Sequence, residues 1–124
     1  MLERTNALRE DIRRFREDNH CDRVVVIWIA STEKYVARNA EAHDSLAGFE
    51  AALQRGDTTV IAPSMCYAYA AMREGCPFVM GAPNLCVDMP AMWQLADECQ
   101  VPITGKDFKS GQTMMKTVLA PAFF

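Results

Sequence analysis

The chain has 124 residues, half of them hydrophobic and 23% charged, with a formal net charge of −3 at neutral pH. This length suits one domain that buries about two thirds of its unfolded surface, and the composition excludes disorder, collagen and a disulfide scaffold. The slight acidity, without a massed basic segment, argues against a nucleic-acid partner, and no apolar run approaches the ~18 residues of a membrane span.

Leu8, Ile12 and Phe15 recur at helical spacing, which predicts an amphipathic helix over residues 3 to 18. Its arginines at 4, 9, 13, 14 and 16 are threaded with Glu3, Glu10, Asp11, Glu17 and Asp18, the pattern of a solvated helix face. Val24 to Ala30 (VVVIWIA) is a short apolar run of the kind found in strands buried on both faces of a parallel sheet. Leu46, Phe49 and Leu53 mark a second helix ending at Gly56, and Thr58 to Ala62 reads as a second strand. Pro63 and Ser64 open a helix carrying Met65, Ala68, Tyr69 and Met72, which Gly75 stops. Pro77 to Met80 is the next strand, 81 to 87 a loop, and Asp88 the cap of a helix with Met92, Leu95, Ala96 and Cys99. Val101 to Thr104 returns as a fourth strand, and a last helix begins near Ser110.

Helices and short buried strands in alternation predict an α/β fold with a mainly parallel sheet of about four strands. Ligand loops of such a sheet lie at the strands' C-terminal ends, here after Ala30, Ala62, Met80 and Thr104. Polar residues gather there: Ser31, Thr32 and Glu33; Ser64; Gly81 to Asn84; and Gly105 to Thr113. No Gly-x-Gly-x-x-Gly turn is present. Ser110, Gly111, Gln112 and Thr113, just before a helix and beside Lys109, have the ingredients of a phosphate cradle, or Ser110 simply caps the helix. Asp107 orients a ligand or is an ordinary surface acid.

Cys21, Cys66, Cys76, Cys86 and Cys99 form an odd set without a Cys-x-x-Cys pair, which fits a reducing cytosol and no zinc ribbon. His20 and His43 read as solvated loop histidines rather than metal ligands, and the eight methionines as core filler.

WIASTE (Trp28 to Glu33), IAPS (Ile61 to Ser64), GAPN (Gly81 to Asn84) and GKDFKSGQT (Gly105 to Thr113), in this order and spacing, resemble the myo-inositol-3-phosphate synthase family. The resemblance runs across nearly the whole chain, and its last segment is the most specific. It implies a Rossmann-like domain and an enzyme using bound NAD to oxidise C5 of glucose 6-phosphate. An intramolecular aldol step then closes the ring, and the hydride returns to give 1D-myo-inositol 3-phosphate.

By the same resemblance Ala30, Ser31, Thr32, Gly81, Ala82 and Asp107 contact the cofactor, and Ser110, Gly111, Gln112 and Thr113 receive the substrate phosphate. Asp107 and Lys109 are the catalytic candidates, and no metal is implied. Many members of the family carry two successive acids after the glycine, whereas Lys106 precedes Asp107 here. Its glycine-rich turn lies upstream of Met1, and its catalytic lysines and tetramer-forming domain lie downstream of Phe124. Residues 1 to 124 are thus expected to be the C-terminal part of an NAD-binding domain from a cytoplasmic homotetramer, inactive alone. The alternative is a freestanding non-catalytic module that binds a nucleotide or a synthase subunit.

Overall fold

The computed structural model describes residues 1–108 and 117–122. The first helix, α1 (Leu2–Asp18), lies where the periodicity predicts it and packs on α4 (Pro63–Arg73). Its polar face is not simply solvated. Arg9 and Arg13 each donate to the Glu74 carboxylate at 3.0 Å, and Arg16 donates to the Glu74 carbonyl at 2.6 Å. Arg14 pairs along its own helix, with Asp11.

Strand β1 (Val26–Trp28), β2 (Phe78–Met80) and β3 (Ile103–Gly105) form a parallel sheet in that order, so β2 is central. Across the sheet, Trp28 is level with Met80 and Met80 with Gly105. The α/β class and the parallel sheet match expectation, with three strands among the described residues rather than four.

Thr58 to Ala62 is the missing strand. It begins as a turn because the Asp57 carboxylate accepts from the Thr59 N–H and hydroxyl, and the Asp57 carbonyl from the Ile61 N–H. An Asx turn of this kind offers the backbone an alternative to the ladder. The bonds from Thr59 also hold the Asp57 carboxyl below its ordinary range.

The short helix α2 (Ala40–His43) is capped by the Asn39 side chain, and α3 (Leu46–Arg55) by Ser45, whose hydroxyl accepts from the Gly48 N–H. Gly56 ends α3 in the left-handed conformation, as its position predicts. Helix α5 (Pro90–Cys99) starts from Met89 with Pro90 in its first turn; Asp88, instead of capping it, accepts from the Cys86 N–H. Residues 117–122 are helical, and the expected start near Ser110 lies outside the described residues.

The core lies between the sheet and α3, α4 and α5, with Phe49, Leu53, Phe78 and Leu95 fully buried. Met65, Met72, Met80, Met89 and Met92 are buried as completely, in keeping with flexible thioethers as gap fillers. His43, expected in solvent, is fully buried. Its Nδ1 accepts from the Asn39 N–H at 2.9 Å, so the neutral ring carries its proton on Nε2, which donates to the Val60 carbonyl at 2.7 Å. The ring thereby satisfies polar backbone on two segments that lack a strand ladder.

Among the described residues, only one face of the sheet is covered. Val26, Trp28, Phe78 and Met80 face the helices, whereas Val25 (54%), Ile27 (53%) and Ile29 (77%) alternate on the other face and are exposed. The expectation that this run is buried on both faces therefore fails. Leu8, Ile12 and Phe15 of α1 meet the same edge across an open groove of about 460 Å³ that also touches Tyr67.

A half-covered parallel sheet with an apolar edge favours association. Sedimentation of the purified chain is expected to show concentration-dependent self-association that Ile27→Lys removes; a clean monomer at all concentrations contradicts this. His43→Ala, which opens a cavity and orphans two backbone groups, is expected to cost about 3 kcal/mol in denaturant unfolding.

Candidate functional site

The three parallel strands end at the same rim of the sheet, and backbone hydrogen bonds stitch their exits together. The Gly81 N–H donates to the Trp28 carbonyl at 2.8 Å, and the Gly81 carbonyl accepts from the Phe108 N–H at 2.9 Å. A Cβ on Gly81 would sit 2.6 Å from the Trp28 carbonyl oxygen and 3.0 Å from the Phe108 ring, so only glycine permits this approach. Gly105 is constrained in the same way, 2.6 Å from the Met80 carbonyl oxygen.

The sequence-predicted residues divide into three groups. Ala30, Ser31 and Thr32 form the exposed crest of the loop leaving β1, beside Gly81 and the buried Ala82 of the loop leaving β2. Asp107 follows β3, half-buried and left-handed at φ 58°, a conformation that aspartate tolerates better than most side chains. Lys109, Ser110, Gly111, Gln112 and Thr113 lie outside the described residues. The structure therefore gathers Ala30 to Thr32, Gly81, Ala82 and Asp107 at one rim.

A second tier of contacts carries no signal in local spacing. Helix α4 has Ala62 at its N-cap, which cannot cap, and Pro63 next, which has no N–H. The Glu33 carboxylate takes the capping role from 31 residues away, accepting from the Ser64 N–H at 3.1 Å and from the Ser64 hydroxyl. An anion there also meets the positive end of the helix. The Glu33 carbonyl accepts from Asn84 Nδ2 at 3.2 Å. That bond sets the amide's orientation and leaves Asn84 Oδ1 buried without a hydrogen-bond partner among the described residues.

These contacts border a cavity of about 430 Å³ whose wall is mainly apolar, from Tyr35, Val36, Pro83 and Leu85, with Thr32, Glu33, Arg38, Asn84, Asp88 and Lys106 among its polar groups. Lys106 Nζ lies 2.6 Å from Asp88 Oδ2. Partial burial raises the Asp88 carboxyl, but the bonds from Lys106 and from the Cys86 N–H outweigh it and hold it below the ordinary range. Cys86, beside Ser64 and fully buried, has its thiol pushed up to about 12 by desolvation, so it is an inert core group.

A larger cleft of about 560 Å³ between α1 and the start of α4 is mainly apolar and includes none of the expected site residues. All five cysteines are free, and no cluster of metal-ligating side chains occurs among the described residues. Nor is any described helix long and apolar enough to cross a membrane.

Loops converging on the C-terminal rim of a parallel sheet define a ligand-binding α/β domain of the dinucleotide-binding class. An NAD-binding family model described as myo-inositol-1-phosphate synthase matches residues 1–122. The chain is 62% identical over 121 residues to inositol-3-phosphate synthase 1 of Bacteroides thetaiotaomicron, covering 98% of this chain and 28% of that protein. It is 41% identical over 118 residues to the inositol-3-phosphate synthase of Candida glabrata, covering 95% of this chain and 22% of the relative. The crystal structure of the Caenorhabditis elegans inositol-3-phosphate synthase superposes with a TM-score of 0.86 at 30% identity, covering 95% of this chain and 23% of that one. The chain belongs to the myo-inositol-1-phosphate synthase family, and it spans less than a third of the length of these relatives.

Asp88 and Lys106 allow a direct check of the rim's electrostatics. A carboxyl with a lowered folded pKa adds stability above its unfolded pKa of about 3.9, and that stability is lost as pH falls through the folded value. Lys106→Met is expected to move the Asp88 titration, followed by carboxyl NMR, back toward the ordinary range. The accompanying loss near neutral pH is expected to stay below about 1 kcal/mol, because the pair is partly exposed.

Proposed function

We propose that the chain is the part of an inositol-3-phosphate synthase that walls the nicotinamide side of the cofactor site and begins the substrate phosphate site. The observation that carries this is the meeting, at one rim, of loops bearing the family's motifs in a chain 62% identical to a bacterial synthase. The residues described fit a cofactor in part: a cavity touching Thr32 and the orphaned Asn84 acceptor lies at the rim that also carries the exposed Ser31, without a glycine-rich turn.

The full reaction is the conversion of D-glucose 6-phosphate to 1D-myo-inositol 3-phosphate by a cytosolic homotetramer. Bound NAD supplies reversible hydride acceptance, which gives a transient ketone able to stabilise the carbanion for ring closure. In this reading Ala30, Ser31 and Thr32 border the cofactor on one side and Gly81 and Ala82 on the other. Asp107, left-handed just after β3, orients the reacting end. Lys109 and the Ser110 to Thr113 turn receive the phosphate, which positions the sugar for intramolecular attack.

Two measurements test the reading. Grafting residues 1–122 in place of the matching part of the Bacteroides enzyme should preserve cyclisation, and Asp107→Asn in that graft should lower kcat by a hundredfold or more. An active Asp107→Asn graft removes Asp107 from the machinery. Titration of the isolated chain should show millimolar NAD binding, because the site is incomplete. Micromolar binding would instead identify a freestanding nucleotide-binding module.

A further inference from the structure

The loop leaving β1 is pinned at both ends to the loop leaving β2. At its start the Trp28 carbonyl accepts from the Gly81 N–H at 2.8 Å, and at its far end the Glu33 carbonyl accepts from Asn84 Nδ2 at 3.2 Å. Between the two pins Ala30, Ser31 and Thr32 are exposed. The near pin belongs to the sheet ladder. The far pin depends on Glu33 being held in place, and what holds it is its own carboxylate, seated on the N–H and hydroxyl of the fully buried Ser64.

We propose that Glu33 is a positioning residue: by capping α4 with its side chain and receiving Asn84 on its carbonyl, it sets the Ala30–Thr32 loop at a defined distance from the Gly81–Ala82 turn. This rests on the reading that these two loops flank the cofactor, and it assigns Glu33 no contact with the reacting atoms.

The arrangement has a physical reason. Helix α4 cannot cap itself, since Ala62 lacks a polar side chain and Pro63 lacks an N–H. The exposed loop has no buried apolar side chain of its own at 30 to 32 to hold it. One carboxylate therefore meets both needs, and the helix, whose Met65, Ala68 and Met72 are fully buried, acts as the rigid post to which the loop is tied. A loop ordered before the ligand arrives binds more tightly, because its ordering entropy is not charged to binding.

The test compares the 124-residue chain with Glu33→Ala and Glu33→Gln, using Arg73→Ala as a control. Arg73 bridges Glu50 and Glu98 at the opposite end of α4, so its loss loosens the helix without touching Glu33. Amide hydrogen exchange and NMR shifts on adding millimolar NAD are read for residues 30–34 and 81–84.

Glu33→Ala is expected to speed exchange at both loops by tenfold or more and to shrink the NAD shifts there. Glu33→Gln can still accept from the Ser64 N–H and is expected to restore most of both effects. Arg73→Ala should lower the melting temperature without changing exchange at either loop.

Unchanged loop exchange in Glu33→Ala, or equal loop acceleration in Arg73→Ala, overturns the positioning role whatever NAD does. Faster loop exchange in Glu33→Ala with no NAD shifts in the unmodified chain supports the tether and overturns the cofactor reading instead.

Discussion

Gly81 has a hydrogen where every other residue has a carbon, and the rim of the sheet is built around that difference. Its N–H and carbonyl join the exits of β1 and β3 to that of β2, while a Cβ would collide with the Trp28 carbonyl and the Phe108 ring. A parallel ladder alone aligns strands; it does not decide how far apart their departing loops travel. The Gly81 stitch makes that decision for the β1 and β3 exits together, so that Asp107 emerges beside the same turn as Ala30 to Thr32.

Behind the rim, α4 is the post on which the arrangement stands. Its buried face meets the sheet, α1 and α5 at once, and each end is held by a charge from elsewhere in the chain. Glu33 closes the N-terminal end, and Arg9, Arg13 and Arg16 converge on Glu74 at the C-terminal end. The signs follow the helix dipole at the N-terminus, where an anion is favoured. At the other end Glu74 runs against the dipole, and three guanidinium groups offset it. This explains why the α1 arginines are not merely a solvated fringe.

Much of this was legible in the residues, and what was not has a common cause. Helices α1, α3, α4 and α5 declared themselves by spacing and by Gly56 and Gly75, both left-handed as a helix stop requires. The sheet's class followed from short apolar runs. The errors came where one side chain diverts the backbone or reaches far along the chain. Asp57 turns the Thr58–Ala62 run, and His43 is drawn inside by Asn39 and Val60, each bond invisible to periodicity. Pattern also could not tell that no described residue covers Val25, Ile27 and Ile29, because a run buried on two faces and one buried on a single face read alike. The motif loops were placed by resemblance, and Glu33, Ser64 and Asn84 each closed one of those motifs, but nothing in their spacing joined the three side chains to one another.

The charges around the cavity bear on how it can treat a phosphate. Its two described cations are both committed to carboxylates: Lys106 to Asp88 at 2.6 Å and Arg38 to Asp44 at 2.7 Å. The charge of each is already offset by that partner, which weakens its pull on a further anion, and the Glu33 carboxylate adds another negative group to the wall. The β1–β2 side of the rim therefore suits the neutral or hydrogen-bonding parts of a ligand, such as hydroxyl and amide groups. A phosphate calls for positive charge that is not already matched, and the proposed function assigns that part to residues 109 to 113, which lie outside the described residues. Lys106 is thus no ready-made phosphate site, because its charge is already matched by Asp88 at 2.6 Å.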